Sequence, residues 1–239
     1  MTPYDVARAD KRPEFRWARA DDTSAFLSAV YGWMFVGLAI TAVTAWLVAS
    51  SPGAIAAIAT NRALFWGLTI VQLGIVVVLS ARVQQLSSAT ASLLFIVYSA
   101  VTGVTLSFVL LAYTGQSVAR TFVVAAGMFG ALAIYGTVTK RDLGGIAQFL
   151  FMGLIGVVLA SLVGLFWHSD AFQFVLTLAG VIVFSGLSAY DAQRLKQMAL
   201  QTPGQSYAIV GALALYLDFT NLFLFLLRFG GDRRDWGSS

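Results

Sequence analysis

Seven apolar stretches follow one another along this chain, at about 25–49, 63–81, 89–112, 118–138, 146–167, 172–198 and 207–228. Each is close to the roughly 20 residues that a helix needs to cross a hydrocarbon core about 30 Å thick. Short connectors carrying Pro52-Gly53, Lys140-Arg141-Asp142 and Pro203-Gly204 separate several of them, so sequence neighbours are expected to be antiparallel neighbours in space. Seven such stretches in 239 residues leave no room for a second soluble domain. Only 11% of the residues are charged, with 59% hydrophobic and a mean hydropathy of +0.81, whereas a soluble domain carries about 25% charge. The expected fold is all-α, a polytopic bundle of seven transmembrane helices.

The charge pattern excludes one class of partner and suggests a topology. A net charge of +4 and a pI near 9.6 could point to nucleic acid, but the basic residues stand singly at segment ends rather than on one face. No nucleic-acid partner is expected; the partner is the bilayer. The absence of cysteine removes disulfides, thiolate metal sites and Cys nucleophiles. Residues 1–24 form a polar tail with Pro3 and Pro13 and no signal-peptide core, and residues 231–239 form a second one around the 25–230 transmembrane domain. With a cytoplasmic amino terminus, Arg8, Lys11, Arg12, Arg16, Arg19, Arg82, Lys140, Arg141, Arg194 and Lys196 lie inside. Arg62, Arg120, Arg228, Arg233 and Arg234 then lie outside, ten against five, as the positive-inside rule requires. The alternative is a last segment that dips in and returns, which would bring its three arginines inside.

Small residues recur at helical spacing. Ser99, Gly103 and Ser107 share one face of the third segment, and Gly156, Ala160 and Gly164 one face of the fifth. Such faces let backbones approach closely in lipid. Both read as packing seams inside a monomeric bundle rather than as dimer codes.

Two acids stand out against this apolar background. Asp218 lies within Leu215-Tyr216-Leu217-Asp218-Phe219-Thr220-Asn221-Leu222-Phe223-Leu224-Phe225-Leu226-Leu227-Arg228, at a depth where an ionisable group costs a few kcal/mol or more and commonly marks function. Asp191 lies in Phe184-Ser185-Gly186-Leu187-Ser188-Ala189-Tyr190-Asp191, which runs on into helix-forming residues as far as about Met198. Asp191 is 12 residues before Pro203 and Asp218 is 14 after Gly204. An antiparallel hairpin bent there brings both carboxylates to about 10–17 Å from the cytoplasmic helix ends. Facing carboxylates cannot both ionise freely, so the two would titrate as a coupled pair sharing a proton. Arg82 is the nearest counter-charge by topology, with a snorkelling interfacial arginine as the alternative. Asn221, three residues on, can share the face of Asp218; it would bond the pair or join two helices.

Four stretches carry a resemblance to a known family. Thr139-Lys140-Arg141-Asp142-Leu143, Phe149-Leu150-Phe151-Met152-Gly153-Leu154-Ile155-Gly156, Ser188-Ala189-Tyr190-Asp191-Ala192-Gln193-Arg194-Leu195-Lys196 and Leu215-Tyr216-Leu217-Asp218-Phe219-Thr220-Asn221-Leu222-Phe223-Leu224 resemble the bacterial branch of the Bax inhibitor-1 (transmembrane Bax inhibitor motif) family. The resemblance runs from about Ala25 to Gly230 and is most specific at the two Asp motifs. It implies a multi-pass protein of the bacterial inner membrane whose last helix is central and wrapped by the other six. It also implies a pH-sensitive calcium leak gated by a pair of aspartates, here Asp191 and Asp218, with Arg82 as the paired arginine. Calcium is then the permeant ion, weakly held by the two acids, and no cofactor is expected. Bacterial relatives are also linked to a membrane-anchored quality-control protease of the AAA class, which gives a second reading as its partner or modulator.

Physical chemistry weighs the competing readings. Calcium takes six to eight oxygen ligands, so two carboxylates make a weak site, and a conducting site must release its ion. An intramembrane aspartyl protease also uses two aspartates sharing a proton, but Leu215-Tyr216-Leu217 replaces its Gly-x-Gly and no Pro-Ala-Leu follows. An enzyme is therefore not expected. A proton-coupled transporter would show broken helices in two similar halves, and no such repeat is visible. His168, the single histidine, shares a short loop with Asp170 and reads as solvated. Trp33, Trp46, Trp66 and Trp167 read as mostly interfacial.

Overall fold

The structure is a computed structural model that describes residues 14–164, 166–167, 169–201 and 205–234. Its helices are α1 (Glu14–Ala49), α2 (Pro52–Thr60), α3 (Arg62–Ala81), α4 (Ser88–Ala112), α5 (Gly115–Val138), α6 (Gly144–Val163), α7 (Asp170–Ala199) and α8 (Gln205–Gly230). Seven of them, all but α2, are long and apolar enough to cross a membrane. Lipid offers no partner for a free N–H, and the sequence places a cap where most of these helices begin. Asn61, Ser87, Thr114 and Ser169 accept from Leu64, Thr90, Ser117 and Phe172. At α6 the N-cap is Leu143, without a side-chain cap bond, and Asp142 just before it accepts through Oδ1 from Gly144 N at 2.8 Å.

Two sequence expectations outside the spans change, one at a connector and one at the amino-terminal stretch. Pro52-Gly53 is not a turn but the first turn of α2. Ser51 caps it by accepting from Ala54, and Pro52 occupies the first helical position, where its fixed φ suits a helix start. The α1 helix begins at Glu14, so the second half of the amino-terminal polar stretch is continuous with the first span. Pro203-Gly204 and His168 lie outside the described residues.

The last helix forms the core of the bundle. About 67% of its most apolar window is buried, against 11% for α6 and 12% for α3, and Tyr216, Ile209, Leu213, Leu215, Leu222 and Leu227 are fully enclosed. It packs against α1, α4, α5 and α7 and more lightly against α3, whereas α6 lies outside, chiefly on α7, so the expected wrapping by all six other helices is not met at α6. Aromatic edges grip it from three sides. Tyr216 meets Phe95 and Tyr98 of α4, Phe219 meets Phe122 and Phe129 of α5, and Phe225 stacks on Phe184 of α7.

Hydrogen bonds at its two ends show that α8 crosses the bundle once. Ser206 Oγ donates to Leu86 O at 2.9 Å in the α3–α4 connector. At the other end Thr114 N donates to Asp232 O and Arg234 N to Ala112 O, each at 3.0 Å. Its 26 residues span about 39 Å, so the returning hairpin is ruled out. The segment after it is not a free tail as far as Arg234, since it pairs with the α4–α5 turn.

Small residues decide where helices come closest. On α4, Ser99 and Ser107 are fully buried, and a Cβ on Gly103 would lie 2.7 Å from Thr41 O of α1; that seam packs as expected. A Cβ on Gly136 of α5 would collide with the Ala189 carbonyl of α7. The α6 expectation fails at Gly156, which is exposed with open space around it. The α6 face on α7 runs instead through Leu150, Gly153 and Val157, a three-then-four spacing that leaves Gly156, about 100° around the helix from Val157, off the seam. Trp33 also departs from expectation: it packs edge-on to Phe95 inside the bundle, while Trp46, Trp66 and Trp167 are exposed near helix ends.

Candidate functional site: an aspartate pair between the last two helices

The site depends on α7 remaining helical beyond Tyr190. It does so to Ala199, so Asp191 sits about 12 Å inside the helix end, and Asp218 sits near the middle of α8. The two carboxyl groups face one another across the α7–α8 contact, within hydrogen-bonding reach. Asp218 is 5% exposed, and Asp191 is partly buried. Among the described residues no N–H or O–H reaches Asp218 Oδ2. A buried carboxylate without a donor is costly. The Asp191 carboxyl can relieve that cost only while one of the two acids holds a proton.

The neighbours of the pair are unequal. Arg194, one turn further along α7, is the cation whose charge acts on Asp191. Arg82 is exposed at the C-terminal cap of α3, its backbone N–H bonded to Val78 O, and among the described residues no ion pair joins it to either aspartate. Asn221 does not bond the acids: its Nδ2 donates to Leu217 O, 2.8 Å away and one turn back. Among the described residues no cluster of three or more His, Cys, Asp or Glu gathers here or elsewhere.

Sequence reasoning missed the device that fixes the α7 half of the site. Gln193, 7% exposed, uses both ends of its amide on the α5–α6 loop. Its Oε1 accepts from Leu143 N and its Nε2 donates to Arg141 O, each at 2.8 Å. Lys196 Nζ donates to Thr137 O at 2.6 Å, at the end of α5. With the Gly136–Ala189 approach, these contacts lock the stretch on both sides of Asp191 to α5 and its loop. The available signal was that Thr139–Leu143 and Ser188–Lys196 were two of the four motif stretches; their mutual contact was not legible.

A second polar group was also missed, on the opposite face of α8. Tyr216 OH and Thr41 Oγ1 are 2.6 Å apart, and Thr41 Oγ1 lies 2.9 Å from Ser99 O. Gln72 of α3 donates to Thr102 Oγ1 of α4 at 3.0 Å, and Thr102 donates to Tyr98 O.

Comparison with known proteins places this architecture. Residues 23–235 match the family described as Inhibitor of apoptosis-promoting Bax1. The chain belongs to the Bax inhibitor-1 family. It is 52% identical over 215 residues to the inner membrane protein YbhL of Escherichia coli strain K12, covering 87% of this chain and 92% of that one. An uncharacterized protein of Borreliella burgdorferi is 41% identical over 88% of this chain and 93% of its own. An uncharacterized membrane protein of Streptococcus pyogenes serotype M1 is 36% identical over 86% and 92%.

Proposed function

We propose that this multi-pass membrane protein is a pH-sensitive leak for calcium, gated by Asp191 and Asp218 and resident, like YbhL by its name, in a bacterial inner membrane. The observation that carries the reading is the meeting of two acids inside the bundle, where, among the described residues, Asp218 Oδ2 lacks any donor except a neighbouring acid. With a shared proton the pair latches α7 to α8. Loss of that proton leaves two like charges in a medium of low dielectric, which repel. The latch then opens, and the two carboxylates offer a passing cation oxygen ligands without the six to eight that would retain it. Rigid support of Asp191 by Gln193 and Lys196 means that movement is expected on the α8 side or in the pair itself.

Ion flux from liposomes between about pH 5 and pH 8 tests this on wild type, Asp191→Asn, Asp218→Asn and the double variant. Each single change should remove most of the pH dependence, and the double should add little, giving a clear interaction term. Two independent, additive shifts would sink the shared-proton latch.

A further inference from the structure

We infer that the cleft between the ends of α6, α7 and α8 remote from the Gln193 clamp binds the headgroup of a membrane phospholipid, its phosphate held by Arg228 and Arg233. The cleft has a volume of about 730 Å³, within the range of small-molecule sites. Ser161, Ser169, Gln173 and Thr177 give it a partly polar lining, and the aspartate pair plays no part in it. Arg228, Arg233 and Asp170 stand among its lining residues, two guanidiniums against one carboxylate.

The arginines are positioned yet uncommitted. The Arg228 guanidinium lies over the Phe225 ring at 5.6 Å and that of Arg233 over Tyr113 at 5.9 Å. Ring stacking orients a guanidinium while leaving its in-plane N–H donors free. Among the described residues neither arginine is ion-paired. Arg233 is held in place by backbone pairing of its segment with the α4–α5 turn, so its position does not depend on a loose tail. A phosphate matches the planar fork of each guanidinium, and Asp170 offers an acceptor for the hydroxyl or ammonium substituent of a headgroup.

The walls select a lipid over a soluble phosphate. Phe174 and Phe229 flank the cleft, their rings 5.8 Å apart, 56% and 54% exposed, and Leu162 is 54% exposed. Those exposed apolar surfaces suit acyl chains. Arg228 is in the last turn of α8, which at about 39 Å outruns a 30 Å hydrocarbon core. The guanidiniums therefore sit at headgroup level.

Native mass spectrometry of the purified full chain supplies the test, with phosphatidylglycerol, phosphatidylethanolamine and diacylglycerol of the same acyl chains, and inorganic phosphate as a soluble competitor. The two phospholipids should be retained and diacylglycerol should not. Arg228→Gln with Arg233→Gln should cut retention roughly tenfold or more, and lysine at both positions should restore part of it. Asp170→Asn should weaken phosphatidylethanolamine more than phosphatidylglycerol. Equal retention of diacylglycerol, unchanged retention by the double glutamine variant, or displacement by an equal concentration of inorganic phosphate would overturn the proposal. Should the double variant fail to fold, a photoactivatable phosphatidylglycerol on the wild-type chain decides: crosslinks at Leu162, Phe174 or Phe229 support the site, and crosslinks confined to other faces refute it.

Discussion

The two faces of α8 carry polar groups two residues apart and treat them in opposite ways. On one face Tyr216 is completely enclosed, its hydroxyl 2.6 Å from Thr41 and its ring edge-on to Phe95 and Tyr98. On the other face Asp218 is nearly as buried and has an oxygen that, among the described residues, no ordinary donor reaches. A buried polar group with its partners present binds helices together, while one left without a partner needs a reason to be there. The first arrangement is mortar and the second is a site. The same helix is thus anchored to α1 and α4 on the Tyr216 side, and on the other side it meets α7 at the two acids that the proposed latch invokes.

Substitutions on the two faces should separate stability from gating. Tyr216→Ala removes a fully enclosed aromatic ring and should cost about 3–5 kcal/mol, read as loss of thermal stability in detergent. Tyr216→Phe keeps the ring and removes only the bond to Thr41, so about 0.6 kcal/mol, at most about 1.7, is expected for an interhelical hydrogen bond in a membrane protein. Its flux should keep the wild-type pH dependence. Asp218→Asn should do the reverse, staying within about 1 kcal/mol of wild type because the shape is kept and the amide brings its own donor. If Tyr216→Phe flattened the pH profile as much as Asp218→Asn, the distinction between mortar and site would fail.

The sequence displayed the parts of this arrangement that depend on local pattern. Span number followed from apolar length, and the matching depth of Asp191 and Asp218 followed from the continued helix beyond Tyr190 and the short α7–α8 connection. Which face meets which helix was not legible. A four-residue spacing of small residues made Gly156 look like a seam, although nothing packs on it. Gln193 stood in its motif stretch without a role, yet its amide closes a contact across 50 residues of sequence. Pro52-Gly53 looked like a turn because the cap on Ser51 is a three-dimensional fact. Pairing between elements distant in sequence is where one-dimensional pattern stops being informative.

The α5–α6 loop offers an intermediate test, because Gln193 supports the site from the mortar side. Gln193→Ala would leave Leu143 N–H and Arg141 C=O without their partner, at a cost of about 1–3 kcal/mol. Gln193→Glu keeps the acceptor for Leu143 but sets a carboxylate oxygen against the Arg141 carbonyl, two acceptors in contact at a buried position, so it should cost at least as much. Hydrogen exchange at residues 139–143 reads the change directly. Undiminished protection there in Gln193→Ala would show that the loop is held by something else, and that Asp191 is less firmly placed than its surroundings suggest.

The smallest effect, and the sharpest on the comparison, concerns the cations near the pair. Arg194 acts on Asp191 from one turn away, whereas Arg82 is exposed at the cap of α3, a helix that touches α8 only lightly. Removing a positive charge beside a carboxylate favours its protonated form, so Arg194→Gln should move the midpoint of pH-dependent flux upward. Arg194 is exposed, and water and salt screen it, so the shift should be small and should shrink as ionic strength rises. Arg194→Lys should retain most of the wild-type midpoint. Arg82→Gln should move it less than Arg194→Gln in the arrangement described here. The family resemblance assigns the counter-charge to Arg82, and an Arg82→Gln shift as large as that of Arg194→Gln would carry a structural meaning of its own. It would require α3 to swing its C-terminal end toward the pair during gating, on the side where its packing against α8 is thinnest.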